Sequence, residues 1–226
     1  MTQNIYDNPE FFAGYSQLLR SREGLDGMPE WPALKAMLPR LAGLRVVDLG
    51  CGFGWFCRWV REAGAGQVLG LDVSEKMLAR AHETTSDRAI VYRQADLETV
   101  DLPSAAFDLA YSALALHYID NLAGLLATVH RALVPGGHFV FSAEHPLYTA
   151  QGPDYLDEGP RTSDWLAKGV VKQHRTLATM LNLLAGAGFS LRHVEEWGPT
   201  REQIAAHPEW KIEHRQPSFL LVSVRR

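Results

Sequence analysis

Cysteine is nearly absent from this chain: 226 residues carry only two, Cys51 and Cys57. Two cannot build a disulfide framework, and their CGFGWFC spacing fits neither a common metal site nor a CxxC redox pair. A reducing, cytoplasmic setting is the expectation that follows. Basic charge is not in excess either. The net charge is -4, whereas long contacts with a nucleic-acid backbone rely on clustered Lys and Arg, so nucleic acid is not the expected partner. No apolar run reaches the length of a membrane span, since stretches such as LAYSALALHYI are short and contain polar residues. The opening MTQNIYDNPEFF lacks the basic and apolar regions of a signal peptide. Internal repeats and low-complexity tracts are missing too. What is present is the composition of a soluble protein with a full core, 46% apolar and 21% charged. The length suits one α/β domain, 1–226.

Asn8-Pro9 has the form of a helix start, with Asn as cap and Pro in the first turn, followed by EFFAGYSQLLRS. PALKAMLPRL predicts a second helix. From there short apolar strands alternate with amphipathic helices: LRVVDLG, WFCRWVREAG, QVLGLDV, EKMLARAHE capped by Ser74, AIVYRQ, FDLAYS, NLAGLLATVHRAL opened by Asp120, HFVFSAEHP and TLATMLNLLAGAGF capped by Thr176. Two late strands, FSLRHVEEW and SFLLVSVRR, have no long helix between them, so the last is expected antiparallel. This order predicts an α/β fold: a three-layer αβα sandwich around a doubly wound, mostly parallel seven-stranded sheet. Residues 145–175 break the rhythm. They are rich in Pro, Gly, Asp and aromatics and too long for a routine connection, a length typical of functional lids or else of disordered segments.

The stretch VVDLGCGFG asks for a reason. Gly50, Gly52 and Gly54 follow the first strand directly. In a doubly wound sheet, ligands bind beyond the carboxyl ends of the strands, where strand order reverses. Glycine there permits positive φ and close backbone approach. The third glycine comes one residue too early for GxGxxG, and no GxxxxGK[ST] phosphate loop is present. Asp72 closes the second strand, where a carboxylate can accept hydrogen bonds from both ribose hydroxyls of a nucleoside.

The pattern DxGxGxG resembles the first motif of the class I, Rossmann-like S-adenosylmethionine-dependent methyltransferases. The likeness runs from about Val46 to His145, through VVDLGCGFG, LGLDVSEKML, QADLETVDLP, FDLAYSALALHYI and LVPGGHFVFSAEHP. It implies S-adenosyl-L-methionine as cofactor. It further implies that Asp96 and the backbone of Leu97 hold the adenine, and that Ser112 and Ala113 border the sulfonium. Asp48, Val73 and Met77 join the cofactor set, and Tyr15 and Arg20 resemble residues placed over the methionine end by an N-terminal helix. The methionine carboxylate is expected to face the N–H groups of the helix after the loop, and the ammonium a carbonyl such as that of Gly50. Cys51 and Cys57 read as packed small residues.

Relatives of this organisation, of the broad type that includes the ubiquinone and menaquinone biosynthesis enzymes, mostly methylate small molecules on oxygen, nitrogen or carbon. The expected partner is therefore a small-molecule methyl acceptor, with monomer and homodimer both left open. A proton acceptor is needed only where the nucleophile arrives protonated. His145, at a strand's carboxyl end, is the first candidate, then His174 and Tyr148, with Tyr155 and His117 behind them. Residues 145–175, with residues 1–40 as an N-terminal helical cap, are expected to cover the acceptor. A nicotinamide-dependent oxidoreductase is disfavoured by the glycine spacing and the lack of a Tyr-x-x-x-Lys pair. A tRNA-modifying enzyme of the same fold and a non-catalytic cofactor-binding module remain alternatives. The segment YSAL, in place of an Asn-Pro-Pro-Tyr type tetrapeptide, argues against methylation of exocyclic amines.

Overall fold

The computed structural model describes residues 3–150, 154–208 and 216–226. The first part of the chain forms α1 (Pro9–Tyr15), α2 (Leu19–Arg22) and α3 (Trp31–Ala36). The alternating core follows as β1 (Arg45–Leu49), α4 (Trp55–Glu62), β2 (Gln67–Asp72), α5 (Glu75–Glu83), β3 (Ile90–Gln94), β4 (Phe107–Ala113), α6 (Leu122–Ala132) and β5 (Leu133–Glu144). Then come α7 (Pro146–Ala150), β6 (Gly159–Trp165), β7 (Ala167–His174), α8 (Leu177–Gly186), β8 (Ser190–Trp197), α9 (Arg201–Ala206) and β9 (Phe219–Arg225).

Seven strands make one sheet in the order β3-β2-β1-β4-β5-β9-β8. β1 pairs in parallel with both β2 and β4, and only β9 runs antiparallel to its neighbours β5 and β8. Strand order therefore reverses between β1 and β4, the position at which such sheets bind ligands. The central strands β1, β4, β5 and β9 are mostly apolar because both their faces are covered, whereas the edge strand β8 is largely exposed. Val47, Ala110, Phe139, Phe141 and Val222 face one core with α6 and α8, while Val46, Leu109, Tyr111, Val140 and Leu221 face another with α3, α4 and α5. Side chains that alternate between two dry layers favour apolar residues at successive positions.

Three local expectations change. The helix opened by Asn8 and Pro9 stops at Tyr15, because the Ser16 hydroxyl donates back to the Phe12 carbonyl at 2.7 Å and Leu18 is extended. This break lets Arg20 turn inward. α6 is capped by Asn121, whose side chain accepts from Gly124 N–H at 3.0 Å, and not by Asp120. The segment 145–175 is built rather than irregular: it contains α7 and the antiparallel β6–β7 hairpin. Residues 151–153 of that segment lie outside the described residues.

The hairpin and the N-terminal arm share a small apolar core of Ile5, Phe11, Ala167 and Val170. The arm is fastened at two points. Gln3 bonds the backbone of Gly169 and Val171 on β7, at 2.8 and 2.9 Å. Asp7 accepts from Ser74 Oγ at 2.5 Å and from Lys76 N–H at 3.1 Å, at the start of α5. Together they roof the carboxyl ends of β1, β2 and β4. Among the described residues no helix is long and apolar enough to cross a membrane.

Candidate functional site

Under this roof lies a cavity of about 330 Å³. Gly50, Gly52, Asp72, Val73 and Met77 line its floor side, with Asp96, Leu97 and Ala113 beside them. Tyr15 and Arg20 reach it from the N-terminal helices. Gly50, at φ +81, lies so close to Ala115 that an added Cβ would sit 2.5 Å from the alanine Cβ. At Gly52, φ +51, an added Cβ would meet nothing within 4 Å.

Asp72 is the anchor of this floor. Its Oδ2 accepts from Gly52 N–H at 2.8 Å and its Oδ1 from Ser74 N–H at 2.9 Å. Burial pushes its pKa up to about 6, against those two bonds. Each oxygen keeps a lone pair for a further donor. Asp96 Oδ1 accepts from Glu98 N–H at 3.0 Å, which orients the turn after β3.

Arg20 supplies the cation. It bonds Glu30 at 3.0 Å, and Glu30 is fully buried. Burial works against the Arg20 charge, but Glu30 outweighs it and holds the guanidinium ionised. The cavity touches neither Gly54 nor the first residues of α4. Arg20, rather than the α4 N-terminus, is thus the positive group that reaches the cavity from this side.

Three residues expected in the cofactor set stand outside the cavity. Ser112 Oγ donates to the Leu49 carbonyl at 2.7 Å, which ties β4 to β1. Gly54, at φ +72, backs onto Tyr92. Asp48 is buried beneath the loop and accepts from Cys57 Sγ at 3.3 Å. Burial first, and Asp72 nearby, raise its pKa to about 7. The folded state then holds a proton that the unfolded state, titrating near 4, has lost. This carboxyl's contribution to stability therefore falls as pH rises from about 4 to about 7. Asp48→Asn should raise the unfolding free energy, measured by urea denaturation at pH 8, by at least about 1 kcal/mol, with the gain shrinking toward pH 4. A pH-independent difference would show that Asp48 is ionised in the fold.

The expected proton acceptors separate. Tyr148 lines the cavity; His145 and His174 do not. His145 Nε2 bonds Glu196 at 2.8 Å, and its Nδ1 accepts from Leu147 N–H at 3.1 Å. His174 Nδ1 bonds Thr149 Oγ1 at 2.9 Å and its Nε2 the Tyr155 carbonyl at 2.8 Å. Both rings have both nitrogens engaged in holding α7 and the hairpin, so neither is placed to take a proton from a ligand. Tyr155 sits outside the cavity too, its hydroxyl oxygen accepting from Leu177 N–H at the start of α8 at 2.8 Å. His117 does line the cavity, and burial pushes its pKa down to about 4. Its Nδ1 accepts from Glu144 N–H at 3.3 Å, which leaves the proton of the neutral ring on Nε2. The phenols of Tyr6, Tyr118 and Tyr148 are all raised above their ordinary value, chiefly by burial.

Sequence reasoning missed the opposite wall. Tyr6, Tyr118, Glu144, Trp165 and Lys172 face the cavity there. Lys172 forms an ion pair with Glu144 and lies over the Trp165 ring, 5.0 Å from its centroid. Val170, Lys172 and His174 share the buried face of β7, a period-two signal hidden because a lysine ordinarily reads as outward. Leu114 and Ala115 follow β4, and Leu114 has φ +53. Such strain in a non-glycine residue concentrates at ligand sites.

The family model for the methyltransferase domain matches residues 47–141. A solved S-adenosylmethionine-dependent methyltransferase from Mesorhizobium loti is 59% identical, with a TM-score of 0.85, over 90% of this chain and 100% of that one. The chain belongs to the S-adenosylmethionine-dependent methyltransferases. An uncharacterised Haemophilus influenzae protein is 32% identical over 251 residues, 99% of this methyltransferase and 97% of that protein. Malonyl-[acyl-carrier protein] O-methyltransferase of Pectobacterium atrosepticum is 37% identical over 142 residues, covering 61% of this chain. The methyltransferase spans about half of that relative, 54% of its length.

The cofactor of the methyltransferase is S-adenosylmethionine, and the cavity's donor set fits it. A buried carboxylate with spare lone pairs suits a diol, a caged guanidinium suits a carboxylate, and bare Gly52 leaves room on the floor. No His, Cys, Asp and Glu cluster fit for a metal occurs among the described residues.

Proposed function

We propose that this methyltransferase acts on an oxygen, nitrogen or carbon nucleophile of a small-molecule metabolite held under the arm and hairpin. The observation that carries this reading is one roofed cavity with two unlike walls: the glycine floor with Asp72 and Asp96, and the polar roof with His117, Glu144 and Lys172. We read 1–226 as one domain, with residues 1–40 and 145–175 as its cap. A roof packed on an apolar core leaves space for a metabolite rather than a duplex, in keeping with the net charge of -4. Two buried free thiols fit a cytoplasmic setting.

In this reading Asp72 accepts from the ribose hydroxyls, Asp96 and Leu97 hold the adenine, and Arg20 meets the methionine carboxylate. Val73, Met77 and Ala113 wall the cofactor, and Tyr15 covers it. Bound S-adenosylmethionine supplies a methyl group on positively charged sulfur, already primed for displacement. The cap residues need only orient the nucleophile and exclude water, and such positioning is worth about 7–11 kcal/mol. None of the described groups on the roof side is poised as a base near pH 7: His117 has its proton on Nε2, the phenols are raised, and Glu144 is paired, while the floor carboxylate Asp72 is engaged by Gly52 and Ser74 N–H. The nucleophile therefore enters with its lone pair free. The malonyl-[acyl-carrier protein] relatives are O-methyltransferases by name, which puts oxygen first among the three atoms.

Calorimetry with S-adenosylhomocysteine, followed by a metabolite screen with isotopically labelled methyl donor, tests the reading. Binding plus label transfer to a small molecule supports it. Binding with label appearing only in RNA or protein, or nowhere, overturns it. Trp165→Ala, in the roof, should keep the S-adenosylhomocysteine affinity within about threefold and cut turnover by about a hundredfold, because the ring that walls the acceptor side and its packing on Phe11 and Lys172 are lost while the cofactor floor is untouched.

A further inference from the structure

We propose that a second cavity, beneath the β6–β7 hairpin, binds an oxyanion carried by the methyl acceptor, a carboxylate or a phosphate. The proposal rests on the small-molecule reading above and names the substrate class. The second cavity measures about 260 Å³ and shares Glu144, Tyr148, Trp165 and Lys172 with the central one. One molecule can therefore reach from the cofactor cavity into it.

Its own residues are Arg161 and Ser163 on β6 and Thr149 on α7. Strand β6 alternates, with Gly159, Arg161, Ser163 and Trp165 less exposed than Pro160, Thr162 and Asp164. The strand thus turns an arginine and a serine inward while proline, threonine and aspartate face out. Packing alone gives no reason for that choice. Ser163 Oγ is buried and has no hydrogen-bond partner, a state that is unfavourable unless a ligand completes it. Arg161 donates to the carbonyls of Asp157 and Pro160 and forms no ion pair among the described residues. Glu144 is already neutralised by Lys172, so Arg161 leaves the cavity with unbalanced positive charge. A guanidinium with spare donors beside an unsatisfied hydroxyl matches the oxygens of a carboxylate or phosphate. A neutral group would leave the charge of Arg161 unanswered.

The test titrates protein saturated with S-adenosylhomocysteine with succinate, glutarate and benzoate and with their amides. Inorganic phosphate and phenyl phosphate form a second arm. At least one anion should bind about tenfold tighter than its neutral counterpart, as one lost charged contact implies. The arm that binds assigns carboxylate or phosphate. Arg161→Gln should weaken that anion about tenfold and Ser163→Ala about threefold, while S-adenosylhomocysteine affinity, which reports the fold, stays within about twofold. Amides that bind as well as acids, no binding by any anion, or no effect of Arg161→Gln would overturn the proposal. Failure of the parent protein to bind S-adenosylhomocysteine would instead strike the reading on which it rests.

Discussion

Asp72→Ala will weaken binding of S-adenosylmethionine and S-adenosylhomocysteine by a factor of at least about a hundred, read by calorimetry at pH 8. Two charge-assisted hydrogen bonds to ribose hydroxyls are at stake, each worth about 1.5–3 kcal/mol, and about 1.4 kcal/mol is tenfold in affinity. The side chain also accepts from Gly52 and Ser74 N–H, so its removal loosens the loop as well. Asp72→Asn separates the two effects, since an amide keeps one acceptor oxygen for the backbone but loses the charge. It should lie between the parent and Asp72→Ala both in affinity and in urea midpoint, because its single oxygen serves only one of the Gly52 and Ser74 N–H donors. The pH dependence provides a second readout. The hydroxyl donors need the ionised carboxylate, and burial sets its pKa at about 6 in the free protein. Affinity of the parent should be flat above about pH 7 and fall below about pH 6, by at most about tenfold per pH unit. Asp72→Ala should lack that slope. Affinity within about threefold of the parent for Asp72→Ala would remove the ribose role.

The architecture was legible because the central strands are mostly dry on both sides. An unbroken apolar run such as VVDL needs two covering layers, and the helices between the runs supply them. The glycine loop and the switch point followed from the same order. The hairpin was not legible. GPRTSDW has few strand-forming residues, and its pairing with β7 is held by contacts to Gln3 and Phe11 far away in the chain. Propensity is weak where tertiary contacts decide. The histidines failed for another reason. A sequence shows which rings can titrate, but His145 is spent on Glu196 and His174 on the carbonyl of Tyr155, partners that no local pattern announces. Lys172 and Glu144 were passed over because the residue types that face solvent elsewhere here neutralise each other in the wall of a cavity.

Gly54→Ala will cost the fold about 3 kcal/mol or more, measured by urea denaturation, even though Gly54 does not face the cavity. Two penalties add. The residue caps α4 at φ +72, ψ 20, where an L side chain loses about 1–2 kcal/mol. A Cβ there would also lie 2.1 Å from Tyr92 Oη and 2.7 Å from its Cζ. The tyrosine has little room to retreat: its hydroxyl bonds Thr85 at 3.0 Å, its ring meets His82 edge-on at 5.2 Å, and it is buried. Gly52→Ala is the control. It shares the left-handed backbone, at φ +51, but its Cβ would meet nothing within 4 Å, so only the conformational part should appear. In a double-mutant cycle Tyr92→Ala should make Gly54→Ala less harmful, because the first change removes the obstacle to the second. The calorimeter should rank the two glycines the other way: Gly52→Ala intrudes on the cavity floor and weakens S-adenosylhomocysteine binding, whereas Gly54→Ala that remains folded binds nearly as the parent does. Equal stability losses at the two positions, or an additive cycle, would show that backbone sign alone governs this loop and that Tyr92 plays no part.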